Sequence, residues 1–138
     1  MLFKAKKQAR GPLAASNQLK KNADKMSNKM TEPERIFDNL MSEIGVLSES
    51  QKVVGKKIFD FYIPSKNMLI EIHGDYWHAN PIIYENKELN RIQKKNVKND
   101  LFKTSLAITN GYLIETVWEY DLHNNYSVIK NKLINLLK

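Results

Sequence analysis

Asp60, Glu71 and His73 fall in two short runs where apolar and polar residues alternate, 57–63 and 67–73, separated by Pro64-Ser65-Lys66. If these runs are strands of a hairpin with Ser65-Lys66 as its loop, residue i faces residue 131 − i, and Asp60 stands opposite Glu71 on the face that also carries His73. Directly opposed β-carbons lie about 4.5–5.5 Å apart, close enough for two carboxylates to repel unless a cation or proton lies between them. Oxygen ligands of this kind suit Mg²⁺, with Mn²⁺ able to substitute. An ordinary polar outer face would show the same alternation, because Phe59, Phe61, Ile63, Ile70 and Ile72 on the other face could bury themselves alone.

The residues after the second run add chemistry. His73-Gly74-Asp75-Tyr76-Trp77-His78 holds two of the three histidines and one of the two tryptophans of the chain. Imidazole can act as a general base near neutral pH, and Tyr76 and Trp77 at a strand end could stack on or wedge against nucleic-acid bases. Further along, Asn96 and Asp100 are four residues apart on a helical stretch, so both can look back over a sheet, and Asp100 could orient a histidine. A plain surface hydrogen bond among Lys94, Lys95, Lys98 and Lys103 is the alternative for that pair.

These groups need elements to hold them. Thr31 as N-cap, Pro33 and two glutamates in the first turn, then Ile36, Phe37, Leu40, Met41 and Ile44 before Gly45, predict a helix over 32–44. A loop is expected over 74–85. A long helix from Lys87 to about Thr109 follows, with Leu89, Ile92, Val97, Leu101, Ala107 and Ile108 as its apolar positions and Asn110-Gly111 as its stop. Tyr112 to Trp118 reads as a strand, and Val128, Leu133, Ile134 and Leu137 mark a closing helix. The order α, β, β, α, β, α describes a small α/β domain with a mixed sheet flanked by helices.

At 138 residues the chain is expected to form one such domain. Its 42% hydrophobic content excludes wholesale disorder, and the lack of cysteine excludes disulfides, thiolate nucleophiles and Cys-based zinc sites. The apolar runs fall far short of the roughly 20 residues that span a bilayer, and no secretory h-region follows the basic first residues. No membrane partner is therefore expected, and the expected location is intracellular. Charge is uneven. Residues 1–30 carry Lys4, Lys6, Lys7, Arg10, Lys20, Lys21, Lys25 and Lys29 against Asp24 alone, which accounts for the whole net charge of +7 and leaves 31–138 neutral. A basic N-terminal arm over 1–30, weakly helical from Leu13 to Met30, gains affinity for a polyphosphate by counterion release, so DNA is the natural partner. A solvated tail is the bland alternative for such an arm.

Taken in order, Asp60, Met68-Leu69-Ile70-Glu71-Ile72-His73-Gly74-Asp75-Tyr76-Trp77-His78, Asn96-Val97-Lys98-Asn99-Asp100 and Val117-Trp118-Glu119 resemble the very-short-patch repair (Vsr) endonucleases, a branch of the PD-(D/E)XK nuclease superfamily. With Glu32-Pro33-Glu34-Arg35, the resemblance spans about 31–122, leaving the arm outside it. The pattern Glu, Asp, His, Asp is similar to that of Vsr-like homing endonucleases of phages and introns. The resemblance implies a restriction-endonuclease-like domain over 31–138. It also implies Asp60 and the backbone carbonyl of Ile72 as metal ligands, His78 as the base that activates water, Asp100 as its orienting carboxylate, and Glu34 as an acid reaching the metal's water shell. His73 takes the slot that holds Lys in most of the superfamily, and Glu71 takes the second acidic position, where repair members commonly have an apolar residue. Repair members build a zinc site from Cys and His after the Trp-His pair. Here Ala79-Asn80-Pro81 follows, and no structural zinc is expected.

The expected activity is therefore Mg²⁺-dependent hydrolysis of double-stranded DNA by a homing-type or mobile-element enzyme, acting in the cytoplasm of a prokaryote or of a phage-infected host. A mismatch-directed nickase, with Tyr76 and Trp77 as the wedge, is the alternative among enzymes. A DNA-binding module that keeps the nuclease fold without turnover is the alternative of another class, and its mark would be a missing acid. Asn96 and the arm's Lys4, Lys6, Lys7, Arg10, Lys20 and Lys21 join Tyr76 and Trp77 as expected DNA contacts.

Overall fold

A computed structural model describes residues 30–138. Residues 1–29, which hold the basic arm's charged residues, all but the end of its expected helix and its expected DNA contacts, lie outside the described residues. Helix α1, Glu32–Ile44, forms where its sequence signals place it. The Thr31 hydroxyl accepts the Glu34 N–H, the Glu34 carboxylate accepts the Thr31 N–H, and Gly45 ends the helix at φ 70°. Phe37, Leu40, Met41 and Ile44 are its buried stripe.

Four strands, β1 (Glu49–Val54), β2 (Lys57–Ile63), β3 (Met68–His73) and β4 (Leu113–Trp118), make one sheet in the order β1-β2-β3-β4. The first two pairings are antiparallel and β3–β4 is parallel, so the sheet is mixed, as expected. Strand β1 was not anticipated: Glu-Ser-Gln-Lys is polar because the strand lies at an edge, and only Val54 is buried. A Gly55-Lys56 turn, with Gly55 at φ 61°, joins it to β2.

The β2–β3 register matches the expected one, pairing Phe61 with Ile70, Tyr62 with Leu69 and Ile63 with Met68. The turn is wider than two residues. Pro64 has no N–H to offer the ladder, a 3-10 turn covers Pro64–Lys66, and Asn67 turns left-handed at φ 48°, so β3 begins at Met68 rather than Asn67.

Helix α2 is a single turn, Pro81–Tyr84, inside the expected loop, and α3, Arg91–Thr109, is the long helix. It starts four residues later than expected because Asn90 and Gln93 form a capping box. The expected closing helix forms as α5 (Tyr126–Leu137), and a short helix not expected from the sequence, α4 (Glu119–Asn124), precedes it.

The two faces of the sheet are covered differently. On one, Phe61, Ile63, Met68, Ile70, Ile72 and Val117 pack with the buried residues of α1 and with Leu122, Leu133 and Leu137. The expected core residue Val128 is instead exposed on α5. On the other face Val54, Phe59 and Leu69 meet Ala107 of α3. Phe59 thus lies opposite Phe61, not beside it. The ladder to β1 is interrupted between them, with Gln51 at φ 57° and Asp60 unpaired, which breaks the simple alternation.

Candidate active site

At Asp60 the β2–β3 ladder ends and the β1–β2 ladder is interrupted. Glu71 Oε2 accepts the Asp60 N–H at 3.0 Å, and Asp60 Oδ2 accepts the Ile72 N–H at 2.8 Å. This reciprocal exchange replaces the next rung of the ladder and ties each acid to the other's strand. An open polar face is excluded, since β3 is a central strand on which Glu71 and His73 are each only 6% exposed. Burial first, then the charges of Glu71 and Glu34, push the Asp60 carboxyl well above the ordinary carboxylate range. Glu34 thus acts twice, capping α1 through its carboxylate and adding negative potential at Asp60.

Helix α3 lays a polar face over this point. Gln93, Asn96, Asp100, Lys103 and Ala107 follow one another at helical spacing and point inward, whereas Ile92, Leu101, Phe102 and Ile108 are more than half exposed. The apolar stripe expected to seat α3 thus faces largely outward. Lys103 was not singled out in the sequence, although it is three residues beyond Asp100 on the same face. Its ammonium donates to Glu71 Oε1 at 2.6 Å and to the Ile58 carbonyl at 2.7 Å, and it lies 4.6 Å from the Phe59 ring centroid.

The loop after β3 folds over the same spot. His78 N–H donates to the Gly74 carbonyl, and Asp75 Oδ1 accepts from Asn80 Nδ2 and from the Tyr120 N–H, so the loop is fastened to α4. From α3, Gln93 donates to the Tyr76 carbonyl at 2.7 Å and Asn96 to the Trp77 carbonyl at 2.9 Å. Asn96, expected at the DNA, is in the structure a strut of this loop. The signal for Gln93 was its place three residues after Asn90. Tyr76 and Trp77 stand out from the loop edge to face at 5.0 Å, 49% and 56% exposed.

His78 Nδ1 lies 2.7 Å from Asp100 Oδ2. A carboxylate can only accept, so Nδ1 carries the hydrogen and Nε2 keeps its lone pair, the tautomer a general base requires. Beneath it, parallel within 3° and 4.0 Å away, is the ring of His73, whose pKa is lowered to about 4 by burial and then by the charge of His78. His73 is therefore neutral near pH 7, and neither of its ring nitrogens has a hydrogen-bond partner. A buried imidazole without partners is uncommon outside functional sites. One nitrogen from each histidine and one Asp100 oxygen lie within 4.8 Å of one another, a spacing that could also hold a cation. Lone pairs lie in the ring planes, however, and stacked parallel rings point them side by side rather than at one ion.

No protein-family model matches the sequence, and no curated protein does. Among solved structures the chain is similar to the catalytic domain of the homing endonuclease I-Bth0305I, at 26% identity and a TM-score of 0.55, over 75% of this chain and 90% of that one. The fold is that of a nuclease catalytic domain. Within it, Asp60, Glu71, His73, His78, Asp100 and Glu34 converge from α1, β2, β3, the loop after it and α3. No described helix is long and apolar enough to cross a membrane.

The acidic end of the site fits a divalent cation. The charges of Glu71 and Glu34 both act on Asp60 there, adding to the effect of its burial, and a single ammonium, that of Lys103, lies among the three carboxylates.

Proposed function

We propose that this protein is a divalent-metal-dependent DNA endonuclease of the homing type, using Mg²⁺ with Mn²⁺ as a substitute. The observation that carries this reading is the 2.7 Å His78–Asp100 pair beside the Asp60–Glu71 acids, on a fold similar to a homing endonuclease's catalytic domain. Asp60 and the Ile72 carbonyl are the residues that would hold the cation, with Glu71 beside them and Glu34 at the water shell. Bound there, it supplies positive charge against the scissile phosphate and makes water more acidic. His78 Nε2 receives the proton of the attacking water, and Asp100 holds the ring in the right tautomer and stabilises the imidazolium that results. His73, neutral under that ring, leaves the imidazolium free of repulsion from below. No acid of the expected set is missing, which counts against a binding module without turnover. Tyr76 and Trp77 are exposed at the rim, and in this reading they meet the bases of duplex DNA, as they would in a mismatch-directed nickase.

Plasmid cleavage tests the reading. Supercoiled DNA should be cut with Mg²⁺ and not with EDTA, the ratio of linear to nicked product separating the homing reading from the nickase. Asp60→Ala should cut at under about a tenth of the parent rate while still binding DNA, as loss of a metal ligand requires. Retained cutting would overturn the assignment. The arm supplies the long-range attraction in this reading. Deleting residues 1–30 should weaken binding and reduce the log–log salt slope by about 0.9 for each phosphate that the arm no longer neutralises, without moving the cut sites.

A further inference from the structure

We infer that Lys103 locks Glu71 out of the cation's ligand shell, so that Asp60 is the only side chain of the acidic pair that binds the metal directly. The inference rests on the endonuclease reading above and concerns the division of labour within its acidic pair. An acid at Glu71's position looks interchangeable with Asp60 in the sequence, but the hydrogen bonds separate the two. Both Glu71 oxygens are engaged, Oε1 by the Lys103 ammonium and Oε2 by the Asp60 N–H. Among these partners Asp60 has only one, the Ile72 N–H on Oδ2, which leaves Oδ1 for an ion.

Lys103 is no surface lysine that happens to reach an acid. Its side chain is 13% exposed and Glu71's 8%, so the pair meets with little water to screen it. Two of its three N–H donors are used on Glu71 and the Ile58 carbonyl, and the ammonium rests against the Phe59 ring. Held by these two bonds and by the ring, and largely buried, Lys103 acts as a positioning residue and not as a phosphate contact. Freeing Glu71 would mean stripping a buried ammonium of its counter-ion, a large cost that a metal able to keep its own waters has no need to meet. The arrangement also assigns each buried acid its own cation, Lys103 for Glu71 and the metal for Asp60. The ammonium therefore sits within a few ångströms of the reaction centre without touching substrate.

Mn²⁺ binding followed by electron paramagnetic resonance reads this without any cleavage, using the full chain. Glu71→Gln with Lys103→Met removes the ion pair as a neutral unit, and Mn²⁺ affinity should stay within about threefold of the parent, since replacing a buried pair by neutral groups is often tolerated. Asp60→Asn should lose at least about tenfold. Lys103→Met alone frees Glu71 as a second anion and should tighten Mn²⁺ at least about threefold, a gain that the double variant lacks. Lys103→Arg, which keeps the charge, should stay near the parent. A loss of about tenfold in the double variant, or no tightening in a folded Lys103→Met, would make Glu71 a ligand and overturn the inference while leaving the endonuclease reading intact. If Lys103→Met does not fold, the double variant against Asp60→Asn decides alone. Undiminished Mn²⁺ binding by Asp60→Asn would sink both the inference and the acidic site beneath it.

Discussion

The two faces of the sheet are each covered by helix, yet by opposite kinds of surface. Under α1, α4 and α5 lies a continuous apolar core of Phe37, Leu40, Met41, Phe61, Ile70 and Leu133, all essentially inaccessible. Under α3 the buried apolar core is smaller, Val54, Phe59, Leu69 and Ala107 with Tyr62, Leu106, Tyr112 and Ile114 packed against it, and beside it Gln93, Asn96, Asp100 and Lys103 bond to strands and loop. One face holds the domain together by area removed from water, and the other gives up that area to place charges. Division of this kind lets a small domain keep a polar, reactive site without surrendering its stability.

Substitutions on each face should therefore separate activity from stability. The largest effect belongs to His78→Ala, expected to slow single-turnover cleavage by about 10²–10⁴-fold while Mn²⁺ binding and melting temperature hold. A greater loss in His73→Ala than in His78→Ala would move the base to the other ring. On the opposite face Phe37→Ala should cost about 3–5 kcal/mol in denaturant unfolding, with cleavage per folded molecule unchanged. If activity fell in step with no loss of stability, the faces would not be independent.

The pH dependence sharpens the comparison further. His73 is held at about 4 in the folded protein against an ordinary 6.5, by burial and then by His78. Between those values the unfolded chain takes up a proton that the folded one refuses, so this residue's contribution to stability is complete above pH 6.5 and is lost as pH falls toward 4. The raised pKa of Asp60 works with the opposite sign, and comparing the parent with His73→Gln cancels it. The parent should lose roughly 3 kcal/mol more than the variant across the window, measured by urea unfolding at several pH values. Parallel curves would mean that His73 is not buried neutral. Smallest of all, Phe102→Ser or Ile108→Lys on the outer side of α3 should change stability by less than about 0.5 kcal/mol.

The same contrast explains what could be read from the sequence. Helix α1 was legible because cap, charge and apolar spacing agree, and the Asp60–Glu71 register was legible because the wider turn leaves the pairing sum unchanged. The His78–Asp100 pair came from residue type and resemblance. Strand β1 escaped notice because an edge strand has little need of apolar residues. For α3, periodicity pointed the wrong way: Ile92, Leu101 and Ile108 recur as a core stripe would, yet the inward side is chosen by hydrogen bonds and charge. Lys103 was hidden for the same reason, one lysine among several until the helix is docked.

The parallel pairing of β3 with β4 has a consequence in time. Parallel neighbours need a crossover, and here α3 is that crossover, carrying Asp100 and Lys103 to partners 22 and 32 residues earlier in the chain. On a growing polypeptide the acids and both site histidines emerge well before the residues that orient and neutralise them, and β4, which pins the crossover, emerges later still. Contacts so distant in sequence form late in folding. In the endonuclease reading, cutting power is thus acquired only when α3 docks, and until then the nascent chain is inert.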